Sequence, residues 1–433
     1  MLQAFDWKNL DEQARTKVLA RPDVSQDVSI RDQARRIIES VRAGGDRALR
    51  QLTAQHDKAK IDGLRVTDEE IASAERILSN AQKRAIDSAI TNVRRFHERQ
   101  LPDTLSVETV PGVHCERISH ALDAVGLYVP AGSAPLPSAA IMLGVPASIA
   151  ACPRIALCTP PRPDGSADPA ILVAATRAGA REIYKVGGAQ AIAALAYGTE
   201  SIAPVRKIFG PGNAWVTAAK SLVSSDPDGA AIDMPAGPSE VLVIADSNAS
   251  PRFVAADLLS QAEHGVDSQV ILLTSDAALG DKVLQEIETQ MGTLSREKIA
   301  LQALQHARVI IVNDLQDAVA ISNRYAPEHL ILQTEAPRSL LPQIRNAGSV
   351  FLGPWSPESV GDYCSGTNHV LPTYGYAATY SGLGVEHFMR HMTVQEVTQS
   401  GLRALAPTLA TLTDMEGLDA HAAAVRYRLE AMS

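Results

Sequence analysis

The run Glu240-Val-Leu-Val-Ile-Ala245 decides how this chain is read. It carries no polar alternation after its first residue, so a strand here must bury both faces, as strands do in parallel sheets covered by helices. Similar runs follow at Gln269-Val-Ile-Leu-Leu273, Arg308-Val-Ile-Ile-Val312, His329-Leu-Ile-Leu332 and Ser349-Val-Phe-Leu352. Upstream, Val125-Gly-Leu-Tyr-Val129, Arg154-Ile-Ala-Leu-Cys158, Glu182-Ile-Tyr-Lys-Val186 and Arg206-Lys-Ile-Phe209 form a second series. Helical stretches separate these at 139–151, 169–178, 190–196 and 214–223. Strands alternating with helices predict two α/β modules, joined near Asp233-Met-Pro-Ala-Gly-Pro238.

Further out, residues 1–24 read as a short polar arm. Ile30, Ala34, Ile37, Ile38 and Val41 recur with helical spacing in the stretch from Ser29 to Asp57, and the pattern ends at Gly44-Gly45. A second amphipathic run covers Asp68 to Gln100. From about Ser381 the pattern is helical, around 386–391, 394–405 and 418–432, with no strand. A helical extension on an α/β enzyme commonly docks on a neighbour, here a second subunit.

The chain has 433 residues, a net charge of -9 and 4% aromatic residues. Net negative charge without a basic block argues against nucleic acid or an anionic membrane as partner. The most apolar region, 136–153, is broken by Pro137, Pro146 and Pro153 and is no membrane span. Met1-Leu-Gln-Ala-Phe-Asp6 has no signal-peptide character, and the four cysteines form no CxxC pair. The expectation is a reduced, cytoplasmic protein.

Three glycine-rich loops, Gly187-Gly-Ala-Gln190, Gly210-Pro-Gly-Asn213 and Pro235-Ala-Gly-Pro-Ser239, follow or join strands, where open α/β sheets bind ligands. None is a G-x-G-x-x-G fingerprint, and each reads as a tight turn at least as readily as a phosphate cradle. In Leu258-Leu-Ser-Gln261-Ala-Glu-His264-Gly265, the pair Gln261 and His264 lies three apart on a helix with Gly265 as C-cap. Their side chains share a face and suit one metal ion, although ordinary surface or core pairs have the same spacing. Glu328-His329 sets an acid beside an imidazole before a strand. That suits proton transfer, although an isolated pair of this kind is more often a capping acid with a packed histidine. Gly361-Asp362-Tyr-Cys-Ser-Gly-Thr-Asn-His369 is a dense polar loop after a strand. Cys152 and Cys158 sit in apolar contexts and read as filler, so no thiolate nucleophile is assigned.

Taken in order, these motifs resemble the histidinol dehydrogenase family. The matching stretches include Gly126-Leu-Tyr128, Val186-Gly-Gly-Ala-Gln190, Lys207-Ile-Phe-Gly-Pro-Gly-Asn213, Asp233-Met-Pro-Ala-Gly-Pro-Ser239 and Leu259-Ser-Gln261-Ala-Glu-His264. Pro327-Glu328-His329-Leu330, Gly361-Asp362-Tyr363, Ser365-Gly-Thr-Asn-His-Val-Leu-Pro-Thr373 and Glu416 with His421 continue them. The resemblance covers essentially the whole chain. It implies two incomplete Rossmann-like parallel-sheet domains with an N-terminal helical arm and a helical C-terminal tail. The boundaries expected are 1–24 for the arm, 25–130 with 238–380 for the first domain, 131–237 for the second, and 381–433 for the tail.

The resemblance also implies NAD-dependent, four-electron oxidation of L-histidinol to L-histidine through L-histidinal. Zinc, one per subunit, would be held by Gln261, His264, Asp362 and His421, a set of imidazoles and oxygens that suits this ion. Glu328 and His329 match the catalytic pair, His329 as base and Glu328 activating water. Tyr128, Gln190 and Asn213 would contact NAD. Ser239, Gln261, His264, His329, Asp362, Glu416 and His421 would line the substrate pocket, with Glu416 and His421 supplied across a homodimer. Competing readings are a relative oxidising another amino or sulfonated alcohol, a zinc hydrolase using Glu328 without NAD, and a non-catalytic binding protein. Glu416 favours histidinol, and retention of Glu328 and His329 disfavours the binding protein.

Overall fold

The computed structural model describes residues 3–22, 28–131, 134–235 and 237–432. Residues 1, 2, 23 and 24 of the arm, Gly132 and Ser133 of the 130–137 loop, and Ala236 of the joining stretch lie outside the described residues.

Six parallel strands form the larger sheet, in the order Gln3–Asp6, Arg308–Ile311, Gln269–Thr274, Glu240–Ala245, His329–Gln333 and Ser349–Leu352. Glu240–Ala245 is buried along its whole length, as its unbroken apolar run requires. Val241, Val243 and Ala245 pack with Val254, Leu258 and Val283 in one layer, while Leu242 and Ile244 pack with Trp7, Ala318 and Ile321 in the other. Each such aliphatic side chain contributes roughly 1.5–3 kcal/mol on full burial.

Five parallel strands form the second sheet, in the order Glu182–Lys185, Arg154–Thr159, Ala124–Tyr128, Lys207–Phe209 and Ala231–Ile232. Val125, Leu127, Ile155 and Leu157 face the helices Pro137–Ile149 and Pro169–Ala178. Ala156, Cys158 and Ile208 face Val28–His56 and Gly188–Tyr197.

Several local expectations change. The helix Val28–His56 does not end at Gly44-Gly45; it breaks at Gly45 (φ 51°) and resumes, with the Glu200 carboxylate accepting from Asp46 N at 2.7 Å. The 68–100 run divides into Asp68–Ile77 and Asn80–His97 because Ser79 and Gln82 form a capping box. These helices pack on helices that cover the five-stranded sheet: Val28–His56 on Gly188–Tyr197 and Ala214–Ser224, Asp68–Ile77 on Pro169–Ala178, and Asn80–His97 on Pro137–Ile149. An apolar stripe on a helix does not say which sheet will cover it. Gln3–Asp6, read within the polar arm, is an edge strand.

The tail is corrected too. Met389–Val397 is a strand, paired antiparallel with Val113–Ala121, which in turn pairs with Leu105–Val110. This ribbon is largely exposed on both faces, so no hydrophobic alternation marks it in the sequence. Beyond it lie the expected helices, Gln399–Glu416 and Asp419–Glu430.

Candidate active site

Tyr128 closes a strand of the five-stranded sheet, and its hydroxyl accepts from Gly188 N at 3.1 Å. That bond fixes the entry to helix Gly188–Tyr197, which carries Gln190 in its first turn. Asn213 caps helix Ala214–Ser224, its Oδ1 accepting from Val216 N at 3.1 Å. All three NAD candidates therefore sit at the carboxyl ends of parallel strands, the usual ligand edge.

The proton-transfer candidates sit at the opposite kind of edge. Glu328 and His329 enter the strand His329–Gln333 of the larger sheet at its amino end, beside Ser239 and Glu240. One cavity of about 760 Å³ brings the two edges together. Tyr128, Gln190 and Asn213 line one part of it, and Ser239, His264, Glu328, His329 and Asp362 line another.

Glu328 and His329 are both buried. The Glu328 carboxylate accepts from Glu240 N at 2.8 Å, and His329 Nδ1 lies 3.1 Å from the Glu240 carbonyl oxygen. Burial pushes the Glu328 carboxyl up to about 8, with His329 offsetting only part of the effect. Burial alone would lower the His329 pKa. The carboxylates of Glu358, Glu328 and Asp362 outweigh it and hold the imidazole well above its ordinary value. Burial works against ionisation of Asp362, but His329 outweighs it and keeps this carboxyl below its usual range.

Gln261 lies in helix Pro251–Ala262, and the helix ends before His264, which occupies the following turn instead of a position before a Gly265 cap. The turn still joins the two, His264 N donating to Gln261 O at 3.2 Å. Gln261 is 0% exposed, and neither its Oε1 nor its Nε2 has a hydrogen-bond partner. An amide left so costs about 1–3 kcal/mol unless something meets it. Among the described residues, ligating atoms of His264, Glu358 and Asp362 all lie within 4.8 Å of one another, a group that could hold a metal ion, and Gln261 itself does not line the cavity. The His264 ring is exposed to the cavity, yet the protein packed around it lowers its pKa and favours the neutral form that ligates metals.

Glu358 was not a candidate from sequence. It stands four residues before Asp362 on helix Glu358–Tyr363, so the two carboxylates share a face. That spacing was the available signal. His369 also lines the cavity, its Nδ1 lying 2.9 Å from Asp362 O. Glu416 and His421 are not brought in: both are exposed on the tail helices and neither lines this cavity.

An α/β enzyme with two parallel sheets and a buried carboxylate–imidazole pair at one cavity is the class that fold and site define. Comparison with known proteins narrows it. A family model described as histidinol dehydrogenase matches residues 19–429. The chain is 53% identical to the histidinol dehydrogenase of Photobacterium profundum over 98% of this chain and 95% of that one. It is 53% identical to that of Vibrio parahaemolyticus, over 99% and 98% of the two chains. A longer relative in Photorhabdus laumondii, named as a histidine biosynthesis bifunctional protein, shares 53% identity, and this chain spans 52% of it. The crystal structure of histidinol dehydrogenase from Elizabethkingia anophelis superposes with a TM-score of 0.96 at 45% identity, covering 100% of this chain and 98% of that one. The chain belongs to the histidinol dehydrogenase family and is an oxidoreductase of histidine biosynthesis.

Proposed function

We propose that the enzyme oxidises L-histidinol to L-histidine through L-histidinal in two NAD-dependent steps, in the cytoplasm, with zinc positioning the substrate. The observation that carries this is a cavity shared by Tyr128, Gln190 and Asn213 with Glu328, His329, His264 and Asp362. The buried, unpartnered amide of Gln261, three residues before His264, supports a metal held with that histidine. When bound, zinc would supply a Lewis-acid anchor for substrate nitrogen and oxygen donors, and NAD the hydride acceptor. Gln261, His264 and Asp362 would hold the zinc, with His421 from the partner subunit.

The chain's own groups divide the proton work. His329 takes the hydroxyl proton of the alcohol, and later that of the hydrated aldehyde, through Nε2. Glu328 takes a proton from the water that adds to the aldehyde carbonyl. Asp362 and Glu358 stabilise the imidazolium so formed. No thiolate is needed, and burial pushes the Cys152 thiol up to about 11, the wrong direction for a nucleophile. Ser239 and the partner subunit's Glu416 would complete the pocket around the substrate.

Sharing of the site across a homodimer is part of this reading. The tail supports it: Met415 is 76% exposed, Leu412 and Leu418 are exposed beside it, and helix Asp419–Glu430 buries no residue. The two-domain division is likewise proposed, one domain to each parallel sheet. A continuous assay at 340 nm with L-histidinol and NAD tests the reading; absorbance that stays flat while the alcohol remains unchanged contradicts it.

A further inference from the structure

Glu240 is 1% exposed and opens the central strand Glu240–Ala245. Its peptide groups hold both members of the acid–base pair. Its N–H donates to Glu328 Oε2 at 2.8 Å, and its carbonyl oxygen lies 3.1 Å from His329 Nδ1. A carbonyl only accepts, so in the neutral ring this contact keeps the proton on Nδ1 and leaves the lone pair on Nε2. That nitrogen is buried 3.4 Å from Asp362 Oδ1 without hydrogen-bond geometry, and both residues line the cavity in which a substrate would sit.

The side chain of Glu240 fixes where those peptide groups stand, and one residue of the N-terminal segment grips it. Arg21 Nε donates to Glu240 Oε1 at 2.5 Å and Arg21 Nη2 to Oε2 at 3.0 Å. The same Nη2 donates to Tyr325 O at 2.7 Å, and the guanidinium lies 3.9 Å from the centre of the Tyr325 ring. Tyr374 N donates to Glu240 Oε1 at 2.9 Å, and the Tyr374 hydroxyl donates to Pro22 O at 2.7 Å, which ties the Arg21-Pro22 backbone to the same point. A planar fork on a buried carboxylate sets orientation as well as charge, which an ammonium cannot do equally.

We propose that Arg21 is a positioning residue for the catalytic pair: through the Glu240 side chain it fixes the one residue whose backbone orients both Glu328 and His329. This rests on the roles given above to Glu328 and His329. Without Arg21 the buried Glu240 carboxylate loses both guanidinium bonds and keeps only uncharged donors, Tyr374 N among them, and it escapes by protonation or rotation. Either movement shifts the N–H that aims Glu328 and the carbonyl that sets the His329 tautomer. Both oxidations then slow, while the metal ligands and the NAD side of the cavity keep their own supports.

The test uses zinc-loaded Arg21→Met, with steady-state kinetics and ¹⁵N NMR of histidine-labelled protein, the His329 signals being assigned with His329→Gln. The expected result is a kcat at least about tenfold lower for both L-histidinol and L-histidinal, with each KM changed less than about threefold. The His329 nitrogens should move from one tautomer to a mixture, and Arg21→Lys should recover part of the loss. A kcat within about twofold of the parent, or a fall in kcat with unaltered His329 signals, overturns the proposal. If Arg21→Met does not fold, Glu240→Gln reads the same link, since it keeps the backbone contacts and loses the charge held by Arg21. Unchanged kcat and tautomer in that variant overturn it equally. Should the parent enzyme not oxidise histidinol, the functional reading fails, and the NMR comparison alone decides the role of Arg21.

Discussion

His329 Nε2 lies 3.4 Å from Asp362 Oδ1, so the expected base and an expected metal ligand meet at one face of the cavity. Removing the imidazole should still leave metal binding intact, because every expected ligand stays in place. His329→Ala takes away the base but none of Gln261, His264 or Asp362. NADH formation from L-histidinol should fall by about 10²–10⁴-fold, the usual contribution of a positioned base. Zinc content, measured by atomic absorption, should stay at the parent level; turnover close to the parent would remove His329 from this role.

Glu328 should separate the two half-reactions. Glu328→Gln keeps an oxygen to accept from Glu240 N but cannot take a proton from water. Oxidation of histidinol to the aldehyde level should persist, with conversion of L-histidinal to histidine slowed by about a hundredfold or more. The carboxyl acts only when ionised and is held near 8, so the parent's second step should gain rate as pH rises through about 8. Equal loss in both half-reactions would count against hydration by Glu328.

Gln261→Ala tests the unpartnered amide. If a metal meets Gln261 Oε1, zinc affinity in competition with a chelator should drop at least about tenfold. If nothing meets it, removing an unsatisfied buried amide should raise thermal stability and leave zinc unaffected.

Site sharing has its own test. His421→Ala and Asp362→Ala subunits should each be nearly inactive alone, yet verified mixed dimers should regain one complete site. Mixed dimers without activity would mean that His421 serves its own chain.

Asp257 offers a pH test away from the cavity. It is 5% exposed, accepts from Gln333 Nε2 at 2.7 Å, and burial raises its carboxyl to about 6. A raised folded-state value favours the protonated form, so its stabilising share is present below the unfolded value near 3.8 and is lost as pH rises through about 6. Asp257→Asn should therefore stabilise the protein more at pH 8 than at pH 5, by on the order of 1–1.5 kcal/mol. An equal melting-temperature shift at both pH values would contradict this.

The parts legible from sequence were those marked by short-range pattern. Unbroken runs such as Val241–Ile244 announced buried parallel strands, and all nine strand-like runs lie in the two parallel sheets. The site motifs were legible because each is contiguous: Gln261 to His264, Glu328-His329, Gly361-Asp362. What failed was non-local. Met389–Val397 is a strand only because Val113–Ala121 lies beside it, and its exposed residues carry no alternation. Glu240 looked like the polar start of an apolar strand, and its hold on Glu328 and His329 depends on parallel register across 88 and 89 residues of chain. Arg21 looked like one more charge on a polar arm for the same reason.

The most direct measurement is NADH formed per L-histidinol consumed, by purified enzyme, before and after zinc is stripped and restored. Two NADH per histidinol, lost on chelation and recovered with zinc, is the expected result. A ratio of one, or NADH formation indifferent to chelation, would contradict a four-electron oxidation at a zinc-positioned substrate.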